Sequence, residues 1–347
     1  MLKKCMSAAL LLCGLTIAAN ANAAPVELNF VCLTNSAHAN TKAAIKPWIE
    51  EVAKRTNDEL KVVYFEVNTL CTARETWNAT VQGMLDIGSN TLADNPGLFP
   101  LHEVMSLPLI SHGSRVTAFT VRDLHAKYPA MLDEFKDIHL LWAWASPTYA
   151  VSTIKKPVRT LEDIKGMRLL VWNSTTQEIA KLLGAVPIMV APTDTYLSLS
   201  RAMADGCITP TATLRAWKLA EVTKYHTVLG LSADVFWCGI NKDRWNSLNA
   251  EFKKVLTETG AAMYEACSTA TDEGADEEIR WAADRGNEII QLSDEERARW
   301  MKAVQPVYDA WLEKMERKGV DYGPRLLEDA RALADKHYKD LAEAGTC

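Results

Sequence analysis

The chain has 347 residues, 48% of them hydrophobic, with a formal charge of −6. A mildly acidic composition without a basic run makes nucleic acid or an anionic membrane surface an unsuitable partner. This length exceeds what one hydrophobic core usually supports, so two domains are expected.

Residues 1–23 read as a secretory leader. Lys3 and Lys4 begin it, Met6 to Ala19 is apolar, and Ala21-Asn22-Ala23 supplies a small-x-small cleavage site. The apolar stretch is too short to span a bilayer, and no later stretch is apolar for long enough. The expected product is exported to the periplasm as a monomer, and losing the two lysines takes its charge from −6 to −8.

Val26 to Leu33 predicts a strand, followed by a polar segment and a helix over Thr41 to Arg55. Leu60 to Val67 predicts a second strand, Thr76 to Met84 a helix and Leu85 to Ser89 a third strand. After Pro157 come a short helix at Leu161 to Lys165, a strand at Met167 to Val171 and a helix at Thr176 to Leu183. A strand at Val186 to Val190, a helix at Tyr196 to Ala202 and a strand starting at Ile208 follow. This alternation is the signature of an α/β fold with mostly parallel sheets.

From Asn249 to about Ile289, apolar residues recur at helical spacing without a proline. One helix of that length, or a pair broken near Gly274, would brace two lobes. Ser293 to Ala344 reads as further amphipathic helices.

Six cysteines follow the leader: Cys32, Cys71, Cys207, Cys238, Cys267 and Cys347. In an oxidising compartment they suggest disulfides, and Cys32–Cys71, Cys207–Cys238 and Cys267–Cys347 is one pairing among 15. Free thiols buried as small hydrophobes are the alternative. No Cys/His spacing suggests a metal, and none of the nucleotide, nucleophile or zinc motifs is present. No cofactor is expected, and no residue asks for catalysis.

Two stretches, TLEDIKGMRLLV and LLGAVPIMVAPTDTYLSLSRAMADG, resemble the core of the periplasmic solute-binding proteins of TRAP transporters, the DctP-type family. VNTLCTARETWNATVQGMLDIG, LHEVMSLPLI and AEVTKYHTVLG extend the resemblance over essentially the whole mature chain. It implies a two-lobed α/β receptor, not an enzyme, that closes on a small organic acid and delivers it to membrane subunits. The expected lobes are 24–146 with 235–275, and 147–234 with 276–347, the C-terminal helices belonging to the second. Hinges are expected near 146–148 and 234–235.

The resemblance assigns the ligand carboxylate to Arg168, whose planar donor fork suits a bidentate pair. An internal salt bridge to an acidic neighbour is the competing role. Thr209 stands where many relatives carry asparagine, and Tyr149 lies where some place a second arginine. Trp142, Trp144, Trp172, Trp217 and Trp237 fall near strand ends and are candidates for an aromatic wall, core packing being the alternative for each. His38 and Glu75 complete the candidate site, and Glu75, Asp94 or Asp194 are candidates for an α-ammonium group. The expected ligand carries one negative group on an aromatic body, such as an indole acid or tryptophan. A secreted enzyme acting on aromatic acids and a receptor feeding a sensor kinase are the rival functions.

Overall fold

The computed structural model describes residues 24–344, so the expected leader and the Cys267–Cys347 pairing lie outside the described residues. Among the described residues, eleven strands form two sheets: β1 (Val26–Cys32), β2 (Leu60–Glu66), β3 (Ile87–Thr91), β4 (Ile138–Ala145), β5 (Tyr149–Thr153), β6 (Arg168–Val171), β7 (Val186–Met189), β8 (Gly206–Pro210), β9 (Tyr225–Val228), β10 (Val235–Asn241) and β11 (Glu288–Gln291). One sheet has the order β2-β1-β3-β10-β4 and the other β11-β9-β5-β8-β6-β7. β1 pairs in parallel with β2 and β3, and β6 pairs in parallel with β7 and β8. Such strands are covered on both faces, which is why Phe30, Val31, Leu169, Leu170 and Val171 form continuous buried runs.

The covering helices are α1 (Lys46–Arg55), α2 (Thr76–Val81), α3 (Ser114–Lys127), α4 (Ala130–Asp133), α5 (Ser174–Leu182), α6 (Thr195–Ser200), α7 (Leu219–Val222), α8 (Lys242–Ser247), α9 (Ala250–Asp284), α10 (Asp294–Arg317) and α11 (Gly323–Glu343). The long helix is unbroken. Asn249 caps it, its side chain accepting the Phe252 N–H at 2.8 Å. Phe252, Val255, Leu256, Met263 and Cys267 pack into the core of the first sheet. Further along, Ala282 packs with Leu214 and Ala220 of the second lobe. Its 35 residues span about 52 Å at ~1.5 Å per residue, enough to brace both lobes.

Several expectations need correction. Leu161 to Lys165 is a series of turns rather than a helix, because the Asp163 carboxylate gathers the backbone N–H groups of Arg159 and Thr160, each at 3.0 Å. The helix after Thr76 stops at Val81, and Gly83 turns at φ +75 so that β3 begins only at Ile87. The C-terminal helices are shared between the lobes: α10 packs on α5, but α11 lies on α3, which covers β4. Cys32, Cys71, Cys207 and Cys238 are free and buried, so neither Cys32–Cys71 nor Cys207–Cys238 forms. Cys207 and Cys238 sit on strands of different sheets. Burial pushes the Cys207 thiol up to about 12, far from a reactive thiolate.

Candidate functional site

The register of the sheets brings two sets of strand ends toward the chain crossings. β1, β2 and β3 end at one edge of the first sheet, and β4 ends there too, since β10 runs antiparallel to both β3 and β4. β6, β7 and β8 end at one edge of the second sheet, where β5 begins, with Tyr149 opposite Pro210. The chain crosses between these edges at 146–148 and again at 232–234, and the two crossings are bound together. Ser146 N–H donates to the Asp234 carbonyl at 2.8 Å, and Asp234 N–H donates to Ser146 Oγ at 3.0 Å. Carboxyl ends of parallel strands are the usual ligand edge of open α/β sheets.

Polar groups gather at this crossing. Tyr149 donates its hydroxyl to Asp234 Oδ2 at 2.5 Å, and Asn173 Nδ2 donates to Asp234 Oδ1 at 3.3 Å. Burial pushes the Asp234 carboxyl up to about 6, with the Tyr149 hydroxyl acting against it and the Asp94 charge adding to the rise. Asp94 is raised for the same reason, opposed by Asn90 and by the Arg74 charge. Two cavities open between the lobes. One of about 190 Å³ lies among Ala93, Asn95, Phe99 and His102 on one side and Asn173, Ser174 and Thr175 on the other. The second, about 130 Å³, separates His38 and Lys42 from Ala212 and Arg215.

Two of the five tryptophans stand at this edge. Trp172 directly follows β6, is half-buried, and donates its Nε1–H to Thr195 Oγ1 at 2.8 Å. Trp217 follows the turn after β8, and the two rings sit 5.4 Å apart with a 35° tilt. Thr209 is buried on β8, its hydroxyl reached by that of Thr213 at 3.4 Å. The other three tryptophans are core. Trp142 is 0% exposed and edge-on to Trp48, Trp144 is 2% exposed and stacked on Phe236, and Trp237 is 0% exposed against Trp77. Trp142 and Trp144, two positions apart on β4, share one face and one core, and Trp237 lies in the other core, so none of them lines a cleft.

Arg168 is also corrected. It occupies the first position of β6, at the amino end, three residues before the strand's carboxyl end. Its guanidinium forks onto Asp205, Nη2 to Oδ1 at 2.9 Å and Nε to Oδ2 at 3.3 Å, and its N–H donates to Oδ2 at 2.9 Å. The side chain is 47% exposed, and Asp205 belongs to the same lobe. It clasps the starts of β6 and β8 to each other, about 10 Å from the ligand edge at ~3.3 Å per residue. Glu75 is likewise occupied, accepting the Thr72 N–H and hydroxyl at 2.9 and 2.7 Å in a capping box. His38 does line the second cavity; burial pushes its imidazole down to about 4.

The sequence reading missed Arg74, Asn173 and Asp234. Arg74 sits in the turn after β2 whose Ala73 carbonyl accepts Asn90 Nδ2 at the end of β3. That fastening puts its charge beside Asp94, and Arg74 makes no direct ion pair among the described residues. An arginine placed in a polar turn between a strand and a helix was a signal available in the sequence.

The sequence profile described as "Bacterial extracellular solute-binding protein, family 7" matches residues 30–315. The C4-dicarboxylate-binding periplasmic protein DctP of Rhodobacter capsulatus is 25% identical over 306 residues, 87% of this chain and 91% of its own length. A TRAP periplasmic solute-binding protein from Desulfovibrio salexigens, solved as an open complex, superimposes with a TM-score of 0.82 at 30% identity, covering 90% of this chain and 97% of that one. A second from Bordetella bronchiseptica, solved with (R)- and (S)-mandelate bound, gives a TM-score of 0.81 at 26% identity, covering 90% and 99%. With its two sheets meeting at their carboxyl edges, this chain belongs to the bacterial extracellular solute-binding protein family 7, the DctP-type periplasmic receptors of TRAP transporters.

Proposed function

We propose that the chain captures a small aromatic monocarboxylate between its lobes and hands it to the membrane subunits of a TRAP transporter. The observation that carries this reading is the meeting of both carboxyl edges at one polar crossing, with the half-buried indole pair Trp172–Trp217 beside it. Indole faces offer flat apolar area, and aromatic pairs add ~0.5–1.5 kcal/mol beyond the area buried. In place of Arg168, Arg74 is the carboxylate partner, without an ion pair among the described residues and with its charge near Asp94, whose neighbours Ala93 and Asn95 line the first cavity. Asp94 in turn is placed to meet an α-ammonium group, which keeps tryptophan beside indole acids in the expected ligand class. The mandelate bound by the Bordetella protein has the same chemistry, one carboxylate on an aromatic body.

Calorimetric titration with (R)-mandelate, indole-3-acetate, L-tryptophan and succinate tests the reading. At least one aromatic acid should bind about tenfold or more tightly than succinate, a difference of ~1.4 kcal/mol. The R74A variant should lose most of that affinity, because the desolvated carboxylate is left without a partner. Preference for succinate, or unchanged affinity in R74A, contradicts the proposal.

A further inference from the structure

The turn that carries Trp217 is held by the long helix. Glu278 of the long helix is 6% exposed, and its Oε2 accepts the backbone N–H groups of Arg215 and of Ala216, the latter at 3.1 Å. Its Oε1 faces Arg215 Nε at 3.4 Å. The turn is also closed locally, by Thr213 Oγ1 on the Pro210 carbonyl at 2.7 Å and by Trp217 N–H on the Thr213 carbonyl at 3.1 Å, and its Leu214 packs with Ala282 of the same helix. Six residues earlier on the same helix, Asp272 accepts the N–H groups of Ser114 and Arg115 at 2.7 and 2.9 Å, at the start of α3 in the first lobe. Asn40 Nδ2 adds a bond to Thr271 at 3.2 Å. Those two anchors are about 9 Å apart along the helix at ~1.5 Å per residue.

A buried carboxylate is costly unless hydrogen bonds and a charge compensate it. Packing at position 278 needs no acid, but two backbone N–H groups of a turn need an acceptor. We propose that Glu278 is a positioning residue of the ligand site: from the helix that is also fastened to the first lobe, it sets where Trp217 stands against Trp172. The assignment rests on the proposed function for its consequence, since an aromatic ligand meets that indole wall. Movement of α9 relative to the second sheet is then felt at the ligand-facing indoles through this carboxylate, alongside the packing of Ala282 on Leu214.

The test needs no ligand. Two indoles at this separation and tilt are exciton-coupled, and the circular-dichroism difference between the unaltered protein and W217F isolates their couplet. E278A should lose the couplet as fully as W217F does, while E278Q, which keeps an acceptor oxygen for both N–H groups, should retain it. If E278A does not fold, E278D serves instead: it folds with its charge kept but its oxygens withdrawn by one methylene, and it should also lose the couplet. A couplet at full amplitude in E278A or E278D overturns the assignment. Failure of every acid to bind in the calorimetric comparison overturns the receptor reading, and the couplet result is independent of it.

Discussion

At the scale of single residues, a side chain's partners decide its role more than its type does. Arg168 has the chemistry of a carboxylate receptor, but Asp205 already fills its donor fork at the far end of the strand. R168A should therefore leave ligand affinity unchanged within about twofold, whereas W172A should weaken it tenfold or more, the scale of ~1.4 kcal/mol for an aromatic contact. Titration of both variants with the tightest-binding aromatic acid checks this; a large loss in R168A would restore the arginine to the site. The sequence could not show the Asp205 partner, because the pair spans two strands brought together only by the parallel pairing of β6 and β8. Trp142, Trp144 and Trp237 were misread for a related reason: nearness to a strand end says nothing about which face a ring occupies. Trp172 and Trp217, the two at the carboxyl edge, are the ones that polar residues flank, Asn173 and Ser174 after one and Arg215 and Lys218 around the other.

Also at this scale, a buried chain of titratable groups sits under the first cavity. His102 Nδ1 lies 2.6 Å from Glu134 Oε2, and His102 Nε2 lies 2.7 Å from His125 Nε2. Burial pushes both imidazoles down to about 3 and the Glu134 carboxyl up to about 7. A depressed histidine contributes stability that is present above its unfolded value of 6.5 and lost as pH falls toward 3. The raised glutamate acts oppositely, its contribution present below 4.5 and lost as pH rises through 7. Between these limits two histidines outweigh one glutamate, so the melting temperature should fall from pH 7 to pH 5. H125Q removes one titrating imidazole, about 2 kcal/mol of the loss expected at pH 5. The fall should be shallower in that variant, and an equal slope would contradict the role of His125.

Among elements, α9 organises the molecule. Its length and apolar periodicity were plain in the sequence, as was its place as a brace. The possible break near Gly274 did not occur, and the glycine has another purpose: a Cβ there would lie 2.6 Å from the Ala39 Cβ. Alanine would improve helix propensity by about 1 kcal/mol. The overlap with a side chain that cannot swing away costs more, typically 1–3 kcal/mol. G274A should lower the melting temperature measured by calorimetry, and a rise would show that the loop carrying His38 and Ala39 gives way. The alternation of strands and helices also transferred well, because periodicity records burial. Leu161 to Lys165 did not, since the Asp163 side chain competes for the backbone donors that a helix would use.

On the scale of the whole molecule, two sheets joined by paired crossings and one long helix form a two-lobed receptor. Helices cover the faces of these mixed sheets, and of the strand ends that remain the carboxyl edge is the usual place for a ligand. The sharing of the C-terminal helices was not legible in the sequence. An amphipathic helix reveals that it packs, and not on which lobe, and α11 reaches across to α3 of the first.

The most direct measurement is a crystal structure of the chain with the aromatic acid that binds most tightly. Density for the acid is expected at the carboxyl edge, its ring against Trp172 and Trp217 and its carboxylate toward Arg74. Density elsewhere, above all beside Arg168 and Asp205 at the opposite end of β6, would contradict the account.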